Sequence, residues 1–246
     1  MRRCPYRFFA LRLLKLQDAG ELENELGKRD FGNWLHATLY LFHEVLKQAT
    51  APDLWAQTAM INRASEQARE DLGLDASEFL PFAAVWPRTR DGYLTWLAAH
   101  QAGGAQYSEG EVWKTLELGN ITLSGKLDRV DVMPDGTHVV MDYKTEAPEK
   151  TKQRIKSLQE DTQLAFYAAL LPDDTLAAAY ISLGEKQPTQ KFAQEAVVGL
   201  RDDLISGIKS DMMQIAGVAT LPALGEGVAC AFCAARGLCR KDFWTT

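Results

Sequence analysis

Hydrophobic and polar positions alternate along this chain with two periods, which separate helical segments from strands. Between residues 31 and 47 apolar side chains recur every three or four positions, and this period predicts an amphipathic helix. Its apolar stripe consists of Leu35, Leu39, Phe42 and Leu46. The Ala-rich segments 53–72 and 78–102 predict two more helices, with breaks at Gly73, Pro81 and Pro87.

Strand-like composition begins farther along the chain. Between Ile121 and Thr145 two segments rich in Val, Ile, Leu and Thr flank a turn triplet at 134–136, and this pattern predicts a β-hairpin. Further strands are predicted at 111–118, 175–183 and 190–196, and further helices at 161–171 and 198–216. Strands interleaved with helices predict an α/β fold.

The hairpin brings acidic and basic residues together. Pairing about Asp135 places Asp128 directly opposite Asp142. Alternate residues of a strand share a face, so Lys144 projects beside Asp142, with Lys126 across from it. Like charges opposed in this way, with Cβ atoms about 4.5 to 5.5 Å apart, are destabilising.

A divalent cation would remove this repulsion. Mg²⁺ or Mn²⁺ is the natural candidate, because such ions bind one or two carboxylates and leave room for a substrate phosphate. The alternative is a surface hairpin whose acids are solvated or paired with lysines, or whose register a bulge has shifted.

Composition and charge narrow the class of protein. With 246 residues, 46% of them hydrophobic and 24% charged, the chain is long enough for one well-cored domain. Its apolar runs fall short of the roughly 20 residues that span a bilayer. Arg7, Arg12 and Lys15 interrupt the signal-like segment at the N-terminus, so we expect a cytoplasmic protein. A net charge of -6 argues against a protein that coats nucleic acid but is compatible with one positive groove.

Four cysteines lie at the two ends of the chain, Cys4 near the start and Cys230, Cys233 and Cys239 near the end. They offer four soft ligands, which suit a tetrahedral zinc ion or an iron–sulfur cluster. Two disulfides are not expected in a cytoplasmic chain. The chemistry of the thiols leaves both metals open.

The central hairpin resembles the core of the PD-(D/E)XK nuclease superfamily. The segment G-K-L-D-R-V-D at 125–131 is followed by the acid-x-Lys triplet Asp142-Tyr143-Lys144, and Leu127 stands where the superfamily usually has Pro.

Other motifs resemble the RecB-type exonucleases of that superfamily. His36, within G-N-W-L-H-A-T-L, resembles their first motif, and Gln163 with Tyr167, four positions apart on one helix face, resembles their fourth. The cysteine pattern is similar to that of the iron–sulfur members, which include AddB-like and CRISPR-adaptation nucleases.

The resemblance implies a restriction-endonuclease-like fold, with a mixed central sheet flanked by helices. We expect a single nuclease domain over residues 1–246, with a helical insertion at 48–105. Cys4 and the three cysteines within 230–239 are expected to bind a [4Fe-4S] cluster that joins the termini, with structural Zn²⁺ as the alternative.

The resemblance also implies roles for single residues. The expected ligands of Mg²⁺ or Mn²⁺ are His36, Asp128, Asp142 and the Tyr143 carbonyl. Lys144 is expected to orient the attacking water, and Gln163 and Tyr167 to position the DNA strand. Glu111 is either an additional metal ligand, a residue that contacts the metal ligands, or a solvated strand end, and His43 is predicted to be structural.

The activity implied by the resemblance is metal-dependent hydrolysis of DNA by an exonuclease that acts on single-stranded ends. Only three residues precede Cys4, so we expect the nuclease module of a helicase-nuclease in DNA repair or recombination. The basic run at 150–156 is either a solvated face or a contact for the DNA backbone. The alternative function is a non-catalytic DNA-binding or scaffolding module stabilised by a four-cysteine metal site.

Overall fold

The computed structural model of the protein describes residues 4–16, 27–156, 161–171, 176–183, 187–217, 220–224, 230 and 233–240. Two expectations fall outside these ranges, because they concern the three residues before Cys4 and Thr175 at the start of a predicted strand. The chain divides into two compact units, one of residues 23–204 and one of residues 1–22 and 205–246.

The helices and strands have the following bounds. The helices are α1 Pro5–Phe8, followed by a π-helix Phe9–Leu13, α2 Lys28–Gln48, α3 Leu54–Asp71, α4 Leu80–Ala102, α5 Pro148–Lys156, α6 Gln163–Ala169, α7 Val197–Ala216 and α8 Arg236–Cys239. The strands are β1 Gln106–Leu118, β2 Ile121–Val132, β3 His138–Lys144, β4 Leu176–Ser182 and β5 Gln190–Gln194. The predicted elements are confirmed, with ends that differ by a few residues.

The five strands form one mixed sheet in the order β1-β2-β3-β4-β5. All neighbouring pairs are antiparallel except β3 and β4, which are parallel. A parallel pair needs a crossover connection, and here α5 and α6 lie between the two strands in sequence.

The β2–β3 hairpin has the predicted register. Arg129 pairs with Met141 and Val132 with His138, so the pairing is centred on Asp135. The Asp135 carboxylate accepts a hydrogen bond from the Thr137 amide at 2.9 Å, which closes the turn.

Strand β3 is buried on both faces because its alternate residues enter two different cores. Val139, Met141 and Tyr143 pack with residues of α2, α3 and α4. Val140 packs with residues of α6 and with Val197. Asp142 and Lys144, on either side of Tyr143 in this strand, therefore point to the α6 side.

The helices of the predicted insertion pack directly against the sheet. Leu94 and Leu97 of α4 and Ile61 of α3 are fully or almost fully buried in the same core as β3. Pro81 lies in the first turn of α4, where proline is tolerated, but Pro87 does not break the helix, so that prediction was wrong. Proline disfavours a helix interior, but the buried residues on either side of it, among them Trp86 and Thr89, pack in the core and keep the helix continuous.

The second unit contains the two ends of the chain. The Tyr6 amide donates to the Pro222 carbonyl at 3.2 Å, and Ala10 and Ala235 are buried. In this unit α1, the π-helix and α8 are all short.

The mixed five-stranded sheet with flanking helices confirms the expected α/β class. Among the described helices, none combines the length and the apolarity that a membrane span requires.

Candidate metal and catalytic site

Three side chains from three elements converge beside the end of the hairpin. α2 contributes His36, β1 contributes Glu111 and β2 contributes Asp128. His36 Nδ1 lies 3.4 Å from Asp128 Oδ2 and 3.6 Å from Glu111 Oε1. The ligand atoms of these residues lie within 4.8 Å of one another, and no other group of three His, Cys, Asp or Glu residues does so in the part of the chain that the structure describes.

The local backbone explains how two of these side chains reach one point. His36 follows the fully buried Leu35, so its ring emerges at the edge of the core, where Nε2 donates to the Tyr143 carbonyl at 3.2 Å. Glu111 has a φ of 47°, a left-handed conformation that is costly for a residue with a side chain and that occurs at functional sites. Its carboxylate lies between His36 and the ammonium of Lys126.

A second group of polar contacts joins β3 to α6. Lys144 Nζ donates to Gln163 Oε1 at 2.9 Å and lies 2.5 Å from Asp142 Oδ2. Gln163 Nε2 donates to Asp142 Oδ1 at 2.5 Å and to the Tyr167 hydroxyl at 3.1 Å. The structure therefore brings together the residues of the two motifs, Asp-x-Lys and Gln-x-x-x-Tyr.

The backbone of Tyr143 connects the two groups. Its amide donates to Asp128 Oδ2 at 2.9 Å, and its carbonyl accepts from His36. Asp142 precedes it and Lys144 follows it, so a shift of this one residue would move both groups together.

Asp142 lies in an environment that disfavours a second negative charge. Its side chain is almost completely buried, and Oδ2 makes no well-aligned hydrogen bond to a described group, although Lys144 Nζ is close. Burial and the charge of Asp128 raise the pKa of Asp142 to about 7, against the opposing effect of Lys144.

The His36 ring lies between the carboxylates of Glu111 and Asp128. Burial alone would lower its pKa, but the hydrogen-bonded carboxylates of Asp128 and Glu111 outweigh burial and raise the pKa to about 10. An imidazole nitrogen and carboxylate oxygens are suitable ligands for Mn²⁺, and carboxylates for Mg²⁺. The donor set of His36, Glu111 and Asp128 therefore fits a divalent metal that displaces the imidazole proton.

The expected metal ligands coincide only in part with the converging group of His36, Glu111 and Asp128. His36 and Asp128 are in it, the Tyr143 carbonyl contacts the His36 ring, and Asp142 contacts Lys144 and Gln163. Their roles as ligands remain predictions.

The paired residues of β2 and β3 include neither Lys126 with Lys144 nor Asp128 with Asp142, although the register is the predicted one. The pairing of β2 with β3 ends at Arg129, and in β1–β2 Lys126 pairs with Trp113. The Lys126 ammonium forms an ion pair with Glu111 instead. This partner comes from β1, which pairs with the other edge of β2.

Sequence reasoning missed a buried polar network behind Tyr143. Arg129, 1% exposed, makes two hydrogen bonds of 2.7 Å to Asp131 and one of 2.7 Å to the Tyr93 hydroxyl. The Tyr93 hydroxyl also lies 3.0 Å from the Tyr143 hydroxyl, so the network holds the Tyr143 side chain. Arg129 and Asp131 are two apart on one strand face, and this spacing was the available sequence signal.

His43 belongs to the same network and is fully buried. Its Nε2 lies 2.5 Å from the Tyr93 hydroxyl and 2.7 Å from Arg129 Nη1. Burial and the charge of Arg129 lower its pKa well below the usual value, so the ring is neutral. This placement agrees with the structural role predicted for it.

The basic residues of α5 differ in their surroundings. Arg154 is hydrogen-bonded to Glu146 and to Asp161, which lies two residues before α6. Lys150, Lys152 and Lys156 are exposed.

The four cysteines all belong to the unit formed by the chain ends and are partly buried. Sulfur atoms around a tetrahedral zinc ion, with bonds of about 2.3 Å, lie about 3.8 Å apart. No three of these thiols lie within 4.8 Å of one another, and all four are among the described residues. The described thiols are therefore not gathered around a single point.

Comparison with known proteins supports the resemblance to the PD-(D/E)XK superfamily. The sequence matches the family model described as the PD-(D/E)XK nuclease superfamily over residues 1–240. A search of the curated proteins found no match. Among solved structures, one described as "Crystal structure of SSO0001" is similar, with 12% identity, coverage of 97% of this chain and 94% of that chain, and a TM-score of 0.34. At that score the likeness carries no weight for fold or function.

Proposed function

This chain belongs to the PD-(D/E)XK nuclease superfamily, and from that premise we propose that it is a Mg²⁺- or Mn²⁺-dependent DNA exonuclease. The observation that carries the proposal is the convergence of His36, Glu111 and Asp128 within 4.8 Å. The Asp142–Lys144 pair adjoins this group through the backbone of Tyr143. A metal-binding group beside a partly buried lysine that is fixed by ion pairing can activate water and stabilise charge on a phosphate, which is what phosphodiester hydrolysis needs.

The proposed metal is held by His36, Asp128 and Glu111, with Asp142 and the Tyr143 carbonyl adjacent. When bound, a divalent ion supplies a water of lowered pKa and neutralises charge on the phosphate. Occupation of the site requires His36 to lose its proton, so metal affinity falls as the pH falls.

Lys144 acts on the water and the phosphate in this proposal. Its ammonium is held by Asp142 and Gln163, with distances of 2.5 and 2.9 Å. A positively charged donor fixed in this way stabilises negative charge that develops on the phosphate without reorganising. Gln163 contacts Asp142, Lys144 and the Tyr167 hydroxyl, and in this proposal Gln163 and Tyr167 position the DNA strand.

Cleavage of linear and circular single-stranded DNA tests the exonuclease activity. With Mg²⁺ or Mn²⁺ we expect short products from end-labelled linear DNA, no products from a circle of the same sequence, and no products in either case with a chelator. Equal cleavage of the circle would contradict the requirement for an end, and the absence of cleavage from both would contradict the nuclease.

The biological setting proposed for this activity is DNA repair or recombination, with a helicase that supplies single-stranded ends. The support is the order of the RecB-type motifs along the chain. Co-purification of the protein with a helicase, and faster degradation of duplex DNA in the presence of ATP, would test this setting.

We further propose that Cys4, Cys230, Cys233 and Cys239 bind a [4Fe-4S] cluster rather than zinc. The support is that all four thiols fall in the unit that combines both chain ends, and that their pattern along the sequence is similar to that of the iron–sulfur members of the superfamily. Iron and sulfide analysis of anaerobically purified protein decides the question. About four iron atoms per chain are expected, whereas one zinc without iron would contradict the cluster.

A further inference from the structure

A cavity of about 430 Å³ adjoins the His36 and Glu111 side chains. This volume falls within the range of small-molecule binding sites. Apart from those two residues, it is lined chiefly by Asn33, Tyr40, Leu72 and Lys126. Neither the metal nor the roles proposed for Lys144 and Gln163 accounts for this cavity.

The wall of the cavity is largely one face of α2. Asn33, His36 and Tyr40 are spaced by three and four residues, so they lie on the same side of the helix. The other side packs in the core through residues such as Leu35 and Leu39, both buried. The position of His36 near the acids therefore also brings Tyr40 to the site.

The lining combines apolar surface with a cation. Tyr40 and Leu72 are 36% and 44% exposed, which leaves an aromatic ring and an aliphatic side chain in contact with water. The Lys126 side chain is 45% exposed and carries its ammonium at the Glu111 side of the cavity. Asn33 adds an exposed amide that can donate and accept hydrogen bonds.

We propose that this cavity binds the nucleoside next to the cleaved phosphate, with its base stacked on Tyr40 and its backbone near Lys126. Every base has a face that stacks on an aromatic ring, so such a site tolerates sequence. The inference rests on the proposed function, because it assumes a phosphate at the His36, Glu111 and Asp128 group. For an exonuclease, the bound nucleoside is the terminal one.

Terminal 2-aminopurine, a fluorescent base, tests this assignment. Single-stranded oligonucleotides with this base at the 5′ or the 3′ end would be titrated with Ca²⁺ in place of Mg²⁺, so that binding is measured independently of cleavage. We expect quenching of the fluorescence at one of the two ends by the wild-type protein.

Substitution of Tyr40 separates stacking from other contacts. Tyr40→Ala should bind roughly 5- to 150-fold more weakly and lose the quenching, since one stacked base contributes about this factor. Tyr40→Phe keeps the ring and should retain both. Trp55→Ala removes a ring that is 81% exposed and does not line the cavity, and it should behave as wild type.

An oligonucleotide with an abasic residue at the quenched end completes the design. Wild type and Tyr40→Ala should bind it equally, because the base that distinguishes them is missing. The inference is overturned if Tyr40→Ala binds the intact end as tightly as wild type does, or if neither end is quenched. Stacking without any cleavage in Mg²⁺ would support this site and contradict the nuclease, so the two failures are distinguishable.

Discussion

At the scale of single residues, the chemistry depends on charges that are buried or half-buried and compensated by neighbouring groups of opposite charge. Asp142 is 1% exposed and has Lys144 beside it, and His36 lies between two carboxylates. Burial strengthens each of these interactions, because the effective dielectric constant is lower than in water. The removal of one charge therefore changes the state of its partner.

Lys144→Ala should reduce the rate of DNA cleavage by at least about 100-fold, since the loss of one transition-state donor costs about that factor. The variant should remain folded, which its melting curve would show. Lys114→Ala is the matched control, because that lysine pairs with Glu109 on β1 at 2.7 Å and should not affect the rate. Cleavage by Lys144→Ala at the wild-type rate would remove this residue from the mechanism.

Asp131 should make the protein sensitive to acid. Burial opposes ionisation, but hydrogen bonding to His100 and the charge of Arg129 lower the pKa of Asp131 from 3.8 to about 2. Because the folded pKa is below the unfolded one, the stabilisation is present above about pH 4 and is lost as the pH falls towards 2, on the order of 2 kcal/mol.

Asp131→Asn tests this acid sensitivity. The variant should be less stable by about 3 to 5 kcal/mol at neutral pH, since it leaves Arg129 buried without its partner. Its free energy of unfolding should change less between pH 4 and pH 2 than that of the wild type. An equal change in both proteins, measured by urea unfolding with a chelator present, would contradict the assignment to Asp131.

At the scale of elements, the sequence pattern predicted those features that depend on neighbouring residues, namely strand register and the face on which a side chain lies. The turn at Asp135 determined the register of β2 and β3, and the spacing of Asp142 and Lys144 placed both on one strand face. The meeting of His36 with Glu111 depends on how α2 packs against the sheet, which no local period reveals. The continuity of α4 through Pro87 also depends on tertiary packing.

The β2–β3 turn also packs against the connection between α4 and β1, and Gly104 makes this contact possible. Its φ is 87°, and a Cβ there would lie 2.4 Å from Pro134 Cγ. Gly104→Ala should therefore lower the free energy of unfolding through both backbone strain and the clash, by about 2 to 4 kcal/mol.

Gly73→Ala is the matched control for the clash. Gly73 has a φ of 65° but no atom within 4 Å of the position of a Cβ. This variant should lose only about 1 to 2 kcal/mol from backbone strain. Equal losses of stability in the two variants, measured by chemical unfolding, would show that the Pro134 contact is unimportant.

At the scale of the whole molecule, an acidic protein is proposed to bind a polyanion. The net charge is -6, so affinity must come from a few lysines near the site and not from the overall field. Lys126, which pairs with Glu111, and the exposed lysines 150, 152 and 156 are the cations proposed to contact the phosphates.

Few phosphate contacts predict weak dependence of DNA binding on salt. With about three or four contacts, the slope of log K against log salt concentration for single-stranded DNA should have a magnitude of about 2 to 3. Fluorescence anisotropy between roughly 50 and 200 mM salt would measure it. A magnitude of about 6 or more would require a large basic surface and contradict a small binding site.

The Mn²⁺ dependence of the initial rate of single-stranded DNA cleavage, compared between wild type and Asp128→Asn, tests the proposed nuclease most directly. Asp128 contacts His36 and the Tyr143 amide, so its replacement removes a metal-binding charge from the centre of the site. The wild-type rate should be zero with a chelator and should rise to saturation with Mn²⁺, and Asp128→Asn should remain folded and inactive at all Mn²⁺ concentrations. Cleavage that persists in the chelator, or a wild-type rate in Asp128→Asn, would contradict metal-dependent catalysis at this site.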